Sequence, residues 1–405
     1  VPKSHAHRKN LLVLTSTFPR WKGDAEPPFV FELCRRLAGD FNIHVLAPHA
    51  AGAALREVMD GLHVRRFRYF FTGRQNLAYR GGILSNLKAR RARYTLIPFF
   101  LLAQLSATLR LLHTRRFHCI HAHWLIPQGV AAVIAARRAA TVPPILATSH
   151  GGDLYGLSGG IFEKMQRAVV ARSAAVTVVS RSMAADLKRL KVPGADIRVI
   201  PMGVDLQRRF APAERGNGGA NLLYAGRLVE KKGVRYLIDA LPIVAKAHPR
   251  VSLVIAGDGQ ERPSLQKRVA EKGLENRVAF VGAVNNESLI EHYRRSDVVV
   301  FPSVVASGGD REGFGLVLVE ALGCECATVV TDLPAMADIV TDGETGLVVP
   351  QKNAERLAES VIRLLSDPPL RARLGRSGRR HVVDRFDWSI VTAQYRRLIH
   401  SITGD

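Results

Sequence analysis

The chain has 405 residues, with 58 Lys and Arg against 35 Asp and Glu, 47% hydrophobic content and a formal charge of +23. That length suits two domains or one large one, and the ordinary apolar and charged fractions exclude disordered, collagen-like and disulfide-scaffold classes. The surplus of positive charge points to an anionic partner: nucleic acid, an acidic membrane surface or a phosphorylated substrate.

Taken in chain order, short apolar runs alternate with helical segments. Residues 10–16 read as a strand, a loop marked by Pro19 and Gly23 follows, and a helix fits 28–38. Further strands fit 43–47, 119–122, 145–149, 175–180 and 198–200, with helices at 161–172 and 183–190 among those between them. The chain then turns at 201–205, and 211–220 reads as a linker rich in Gly, Pro and Ala. The rhythm restarts with strands at 221–225, 252–256, 278–281, 298–301, 328–331 and 346–349. This βαβ alternation predicts an α/β fold of two successive doubly wound, Rossmann-like domains facing across a cleft, with ligands beyond the strand C-termini.

The charge is unevenly spread. Residues 1–205 hold 30 Lys and Arg against 11 Asp and Glu; residues 206–405 hold 28 against 24. Nothing between Asp60 and Asp153 is acidic, although 14 basic residues lie there. A basic run is ordinarily a solvated face, but such faces carry both signs, so a single sign favours an anionic partner. Within it, residues 94–109 are apolar but interrupted by Pro98, Gln104 and Ser106, too short and too polar to cross a bilayer. A buried helix is the default expectation; an interfacial one is favoured by the flanking Arg90, Arg91, Arg93, Arg110, Arg115 and Arg116. Residues 1–9 are polar and basic, so neither a signal peptide nor a membrane span is expected, and any membrane contact would be peripheral. Cys34, Cys119, Cys324 and Cys326 are too few to staple this fold and lack zinc-finger spacing, so reduced thiols in a cytosolic protein are expected.

Several strand ends carry residues suited to ligands. Between strand 221–225 and the next helix, Gly226 lets the chain turn, and Arg227 and Lys232 lie five apart before a helix start. Those parts suit a diphosphate, although Arg and Lys also decorate such loops. Gly257 and Gly259 permit close backbone approach after the following strand. Glu312 precedes Gly313 and Gly315, which expose amides before a helix, and Glu320 falls in the apolar run of that helix. A carboxylate there needs hydrogen-bonding partners, such as ribose hydroxyls, unless it is partly exposed. In the first half, His150 ends a strand beside Gly151 and Gly152. His121 and His123, two apart and followed by Trp124, project to one side of a strand end. No third ligand is evident for a metal, so acceptor contact or plain packing ranks above it. Gly23 admits either a ligand or a simple turn.

These motifs in this order resemble the retaining nucleotide-sugar glycosyltransferases of family 4, which have the GT-B fold. The likeness covers the early glycine loop, Ser149-His150-Gly151, the turn at 200–205, Gly226 to Gly233, residues 300–303, and Glu312 and Glu320 with seven residues between them. It ends at Phe386, Asp387 and Trp388. Met202 stands where the family commonly has asparagine, and Glu325 and Ala327 where it has glycine and proline. The resemblance implies three parts: an acceptor-side domain over 1–205, a nucleotide-sugar domain over 206–384, and a helix at 385–405 returning to the first domain. It implies that Arg227 and Lys232 neutralise the donor diphosphate. Glu320 would hold the ribose, and Glu312 with the amides of Gly313, Phe314 and Gly315 would position sugar and phosphate. His150 would lie near the anomeric carbon. Gly23, Gly226, Gly257 and Leu316 would line the donor site, and His123 and Trp124 the acceptor site. No metal or cofactor is expected, because protein cations serve the diphosphate of a UDP- or GDP-sugar. Retention in this family involves same-face attack, so no protein nucleophile or acid–base pair is assigned. The segments at 77–83 and 121–129 are similar to those of bacterial surface-polysaccharide enzymes, which implies a glycan or lipid-diphosphate-linked acceptor. With the basic first half, it places the protein in the cytoplasm, peripheral at the inner face of an anionic membrane. The competing readings are a sugar-nucleotide epimerase of similar architecture and a basic nucleic-acid-binding protein. The second lacks any recognised binding module, so no nucleic acid partner is expected.

Overall fold

A computed structural model describes residues 8–24, 26, 28–79, 81–139, 141–157, 159–213 and 219–404. Residues 1–7 of the N-terminal reading and the middle of the expected linker, 214–218, lie outside these. The chain forms two compact units, Val1–Pro201 with Thr392–Asp405, and Met202–Val391.

The first unit is built on eight strands: β1 (Asn10–Leu14), β2 (Asn42–Pro48), β3 (Arg56–Met59), β4 (Leu62–Phe67), β5 (Cys119–His123), β6 (Ile145–Ser149), β7 (Ala175–Val178) and β8 (Ile197–Val199). Their order is β3-β4-β2-β1-β5-β6-β7-β8, and every pair is parallel except β3 with β4. Strands β5, β6 and β7 are buried at every position, as expected of a parallel sheet covered on both faces. The sequence reading missed the β3–β4 hairpin. Its signal was Asp60-Gly61, whose φ values of 48° and 82° make the tight turn that a right-twisted hairpin requires.

The apolar stretch in the basic segment departs from the expectations that it is too short and too polar to cross a bilayer and that it is buried. With its leading turn the helix runs Arg91–Thr114, 24 residues, long and apolar enough by length and composition to cross a membrane. It is also mostly uncovered. Phe100, Gln104, Thr108 and Leu111 form the buried face, while Phe99 and Leu102 are 50% and 66% exposed. The apolar residues encircle the helix instead of clustering on one stripe, so packing one face leaves others in solvent.

The second unit holds β9 (Asn221–Ala225), β10 (Ser252–Ala256), β11 (Val278–Gly282), β12 (Val298–Phe301), β13 (Ala327–Thr331) and β14 (Leu347–Val349), ordered β11-β10-β9-β12-β13-β14 and parallel throughout. Its core joins Leu222, Val300 and Val329 of the sheet to Leu237, Leu241, Val361 and Leu364 of the covering helices. Three helix starts are capped by side chains: Asn285 accepts from Ser288 N–H, Asn353 from Arg356 N–H and Asp367 from Leu370 N–H. Residues 203–206 belong here because Val204 N–H donates to Phe386 at 2.9 Å and Trp388 N–H returns to Val204 at 3.1 Å. The Asp387 carboxylate also accepts from Leu206 N–H at 3.2 Å.

Candidate active site

In the second unit the candidate residues lie on loops leaving β9, β10 and β12 and at the start of helix Leu316–Gly323. The β9 and β10 loops are zipped together: Gly226 N–H donates to Ala256 at 3.0 Å, and Leu228 N–H to Asp258 at 2.9 Å. A Cβ on Gly257 would sit 1.8 Å from the Gly226 carbonyl oxygen, so only glycine permits this approach. Tyr224, buried in β9, donates its hydroxyl to the Arg227 carbonyl at 2.9 Å, fixing the backbone while the Arg227 side chain is exposed.

The next three side chains bind this loop to the one leaving β12. Glu230 accepts from the Ser307 N–H and hydroxyl at 2.8 and 3.1 Å, Lys231 pairs with Asp310 at 2.9 Å, and Lys232 pairs with Glu312. Lys232 and Glu312 thus form one ion pair. Burial pushes the Glu312 carboxyl up, but Lys232, Lys231 and Arg227 outweigh it and hold the carboxyl below its ordinary range. Gly313, Phe314 and Gly315 are buried and Leu316 half-buried; the Phe314 ring packs on Phe386 with centroids 5.6 Å apart. Gly315 opens the helix, its carbonyl accepting from Leu318 and Val319 at 3.0 Å. The first amides of a helix lie outside its own ladder and favour oxygen ligands and negative charge.

Glu320, on that helix, is 6% exposed. Its Oε2 lies 3.3 Å from the Tyr293 hydroxyl, whose one hydrogen is shared between it and the Val317 carbonyl at 3.0 Å. Desolvation pushes the carboxyl up to about 8, against the lowering effects of the Tyr293 bond and the Arg209 charge. The partly exposed alternative therefore fails. Tyr293, Tyr224 and Lys231 escaped the sequence reading, since nothing local marks a tyrosine as a partner for a carboxylate or a loop carbonyl.

In the first unit, His150 follows β6 and His123 ends β5. Nδ1 of His123 lies 3.0 Å from Nε2 of His150. His123 is only 1% exposed, whereas His150 is half-buried. His121 shares its face, with Nε2 2.8 Å from the Thr148 hydroxyl. Desolvation brings His121 and His150 down to about 3, and His123 well below its ordinary value, so all three imidazoles are neutral. The Trp124 ring lies 5.0 Å from His150, and Phe29 lies 4.8 Å from it. Asp153 braces this end: its carboxylate accepts from Leu125 N–H at 2.6 Å and from the Ser149 hydroxyl at 2.8 Å. Gly23 sits in a turn after β1 that the Arg20–Asp24 ion pair fixes, with Trp21 under the Arg20 guanidinium at 4.5 Å.

The family model "Glycosyltransferase Family 4" matches residues 28–208, and "Glycosyl transferases group 1" matches 208–381. A phosphatidyl-myo-inositol mannosyltransferase of Mycolicibacterium smegmatis is 32% identical over 297 residues, 71% of this chain and 72% of that one. The chain belongs to glycosyltransferase family 4. A glycogen synthase of Mycobacterium tuberculosis is 31% identical to this family 4 chain over 278 residues, 67% of its length and 66% of the synthase's. Among solved structures, sucrose-phosphate synthase from Thermosynechococcus elongatus matches with TM-score 0.78 and 23% identity, covering 98% of this chain and 99% of that one. Anabaena HepE in complex with UDP and glucose matches with TM-score 0.74 and 18% identity, over 97% and 100%. The family 4 chain has the GT-B fold that these structures share.

Proposed function

We propose that this family 4 chain is a retaining hexosyltransferase that moves a sugar from a UDP- or GDP-sugar to a lipid-diphosphate-linked saccharide in bacterial polysaccharide or glycolipid synthesis. The observation that carries the reading is the cluster of Arg227, Lys232 and Glu312 beside the helix start at Gly315. Arg227 and Lys232 neutralise the diphosphate in place of a metal and stabilise the departing nucleotide. Glu320 holds the ribose, with Tyr293 setting its carboxyl. Gly226 and Gly257 keep the loops close enough for the nucleotide to lie against backbone. The acceptor oxygen attacks the anomeric carbon on the face the nucleotide leaves. The bond to the phosphate oxygen breaks with its electron pair, and that oxygen takes the acceptor proton. Glu312, held anionic by its cations, positions the sugar and does not act as an acid. Neutral His150 lies near the anomeric carbon, its ring held against His123.

The bound UDP and glucose of HepE support the choice of donor, and the lipid named for the mycobacterial mannosyltransferase supports a lipid-linked acceptor. The uncovered Phe99 and Leu102, in a segment free of acidic residues, support peripheral attachment to an anionic bilayer at the cytoplasmic face. Calorimetric titration with UDP and GDP tests the site. One nucleotide should bind the wild type and lose at least about tenfold in affinity in both R227A and K232A. Equal affinity in both variants would overturn the assignment.

A further inference from the structure

We propose that His123 is a positioning residue: its Nδ1 holds the imidazole of His150 in a single orientation and tautomer for sugar transfer. The inference rests on the function proposed above and adds a residue that acts through another.

Three observations carry it. The first is the contact itself, 3.0 Å between ring nitrogens of His123 at the end of β5 and His150 just past the neighbouring β6. The second is cost. His123 is 1% exposed, and among the described residues its buried Nε2 has no hydrogen-bond partner, nor has the buried Nδ1 of His150. An imidazole in that place is worse for folding than an apolar side chain, unless its one nitrogen contact matters. The third is the support behind it. Thr148 pairs with Thr177 between β6 and β7, their hydroxyls 2.6 Å apart, and Thr177 lies 3.3 Å from the Tyr395 hydroxyl. His121 bonds Thr148 at 2.8 Å and lies against His123 with ring centroids 4.2 Å apart. A polar seam therefore crosses an otherwise apolar sheet face and ends at His123. Phe29 and Trp124 flank His150, so its ring is held by packing and by one directional bond.

The two rings share one proton in that bond. If His123 Nδ1 donates, His150 carries its own proton on Nδ1; if His150 Nε2 donates, its Nδ1 is bare. The bond couples the tautomers of the two rings, so once its direction is set His150 keeps a single tautomer.

The test uses H123L, which removes the nitrogen at similar bulk, and H123N, which can restore a polar atom near Nδ1. H123L should lower kcat by about 10- to 100-fold, the scale of a displaced reacting group, with KM for the sugar donor unchanged. H123N should recover most of the loss. The 15N spectrum of His150 should report a single tautomer in the wild type and an exchanging mixture in H123L. A kcat within about twofold of wild type in H123L, or a tautomer mixture already present in the wild type, overturns the proposal. The wild-type spectrum decides it even if H123L fails to fold. Absence of any sugar transfer by the wild type would instead count against the function and leave the spectral result standing.

Discussion

Replacing Lys232 with Ala separates its catalytic role from its structural one. Lys232 and Glu312 are paired with side chains 13% and 17% exposed, so the substitution leaves a nearly buried carboxylate short of its nearest cation. Breaking a fully buried pair costs roughly 3–5 kcal/mol. Here Lys231 and Arg227 still act on Glu312 and both partners keep some solvent, so a loss of about 1–2 kcal/mol is expected. Loss of a charge that stabilises the leaving diphosphate is larger, about 10²- to 10³-fold in turnover, or roughly 2.7–4 kcal/mol. The double variant K232A/E312Q removes the orphaned charge, so its Tm should return toward wild type while transfer stays at the level of K232A or lower. Steady-state transfer with a radiolabelled nucleotide sugar, read beside Tm, makes the comparison. Recovery of activity in the double variant would refute the reasoning, because Lys232 would then serve only as a structural partner for Glu312. Near-normal turnover in both K232A and R227A would remove the diphosphate site itself.

Other outcomes follow from single residues. Glu320 has its carboxyl raised to about 8, so its contribution to stability is present below the unfolded value and declines as pH rises through 8. E320Q should therefore gain Tm relative to wild type between pH 5 and pH 9; a constant gap would contradict the buried, desolvated carboxyl. Glu325 sits at φ 60°, where a side chain costs about 1–2 kcal/mol and glycine only about 0.5–1 kcal/mol of chain entropy. E325G should raise stability by up to about 1 kcal/mol in urea unfolding, and a lowered midpoint would argue against strain there. Phe99 and Leu102 are exposed on the Ile97–Thr114 helix, and F99S/L102S should weaken sedimentation with anionic liposomes without changing UDP affinity. Wild-type binding that does not rise with anionic lipid content would remove the membrane reading.

Much of the architecture was legible because parallel strands are short apolar runs bounded by turns; β6, β9, β10 and β12 fall at the residues expected from the sequence alone. The β3–β4 hairpin was lost because its strands are mixed in polarity, and Asp60-Gly61 went unread. The helix through Phe99 was misjudged for a different reason. Apolar composition says that a segment avoids water, but not how much of it the rest of the fold covers. At the site, Arg227, Lys232 and Glu312 were visible as charges in loops after strands, and Glu320 as a carboxylate in an apolar helix. Their partners were not: Tyr293 reaches Glu320 from another helix, and His123 meets His150 only through the β5–β6 register, which pairs His123 with Thr148. Sequence spacing does not encode a register between distant strands, so contacts across a sheet emerge only with the fold.

The central claim, transfer of a sugar with retention from a nucleotide diphosphate, is tested most directly by proton and carbon NMR. A donor labelled with 13C at the anomeric carbon, UDP- or GDP-linked, is incubated with the protein and a lipid-diphosphate saccharide. The account predicts free nucleoside diphosphate and a new glycoside whose anomeric configuration matches the donor's. A product of inverted configuration would contradict same-face attack, and a free epimerised nucleotide sugar with no glycoside would contradict transfer altogether.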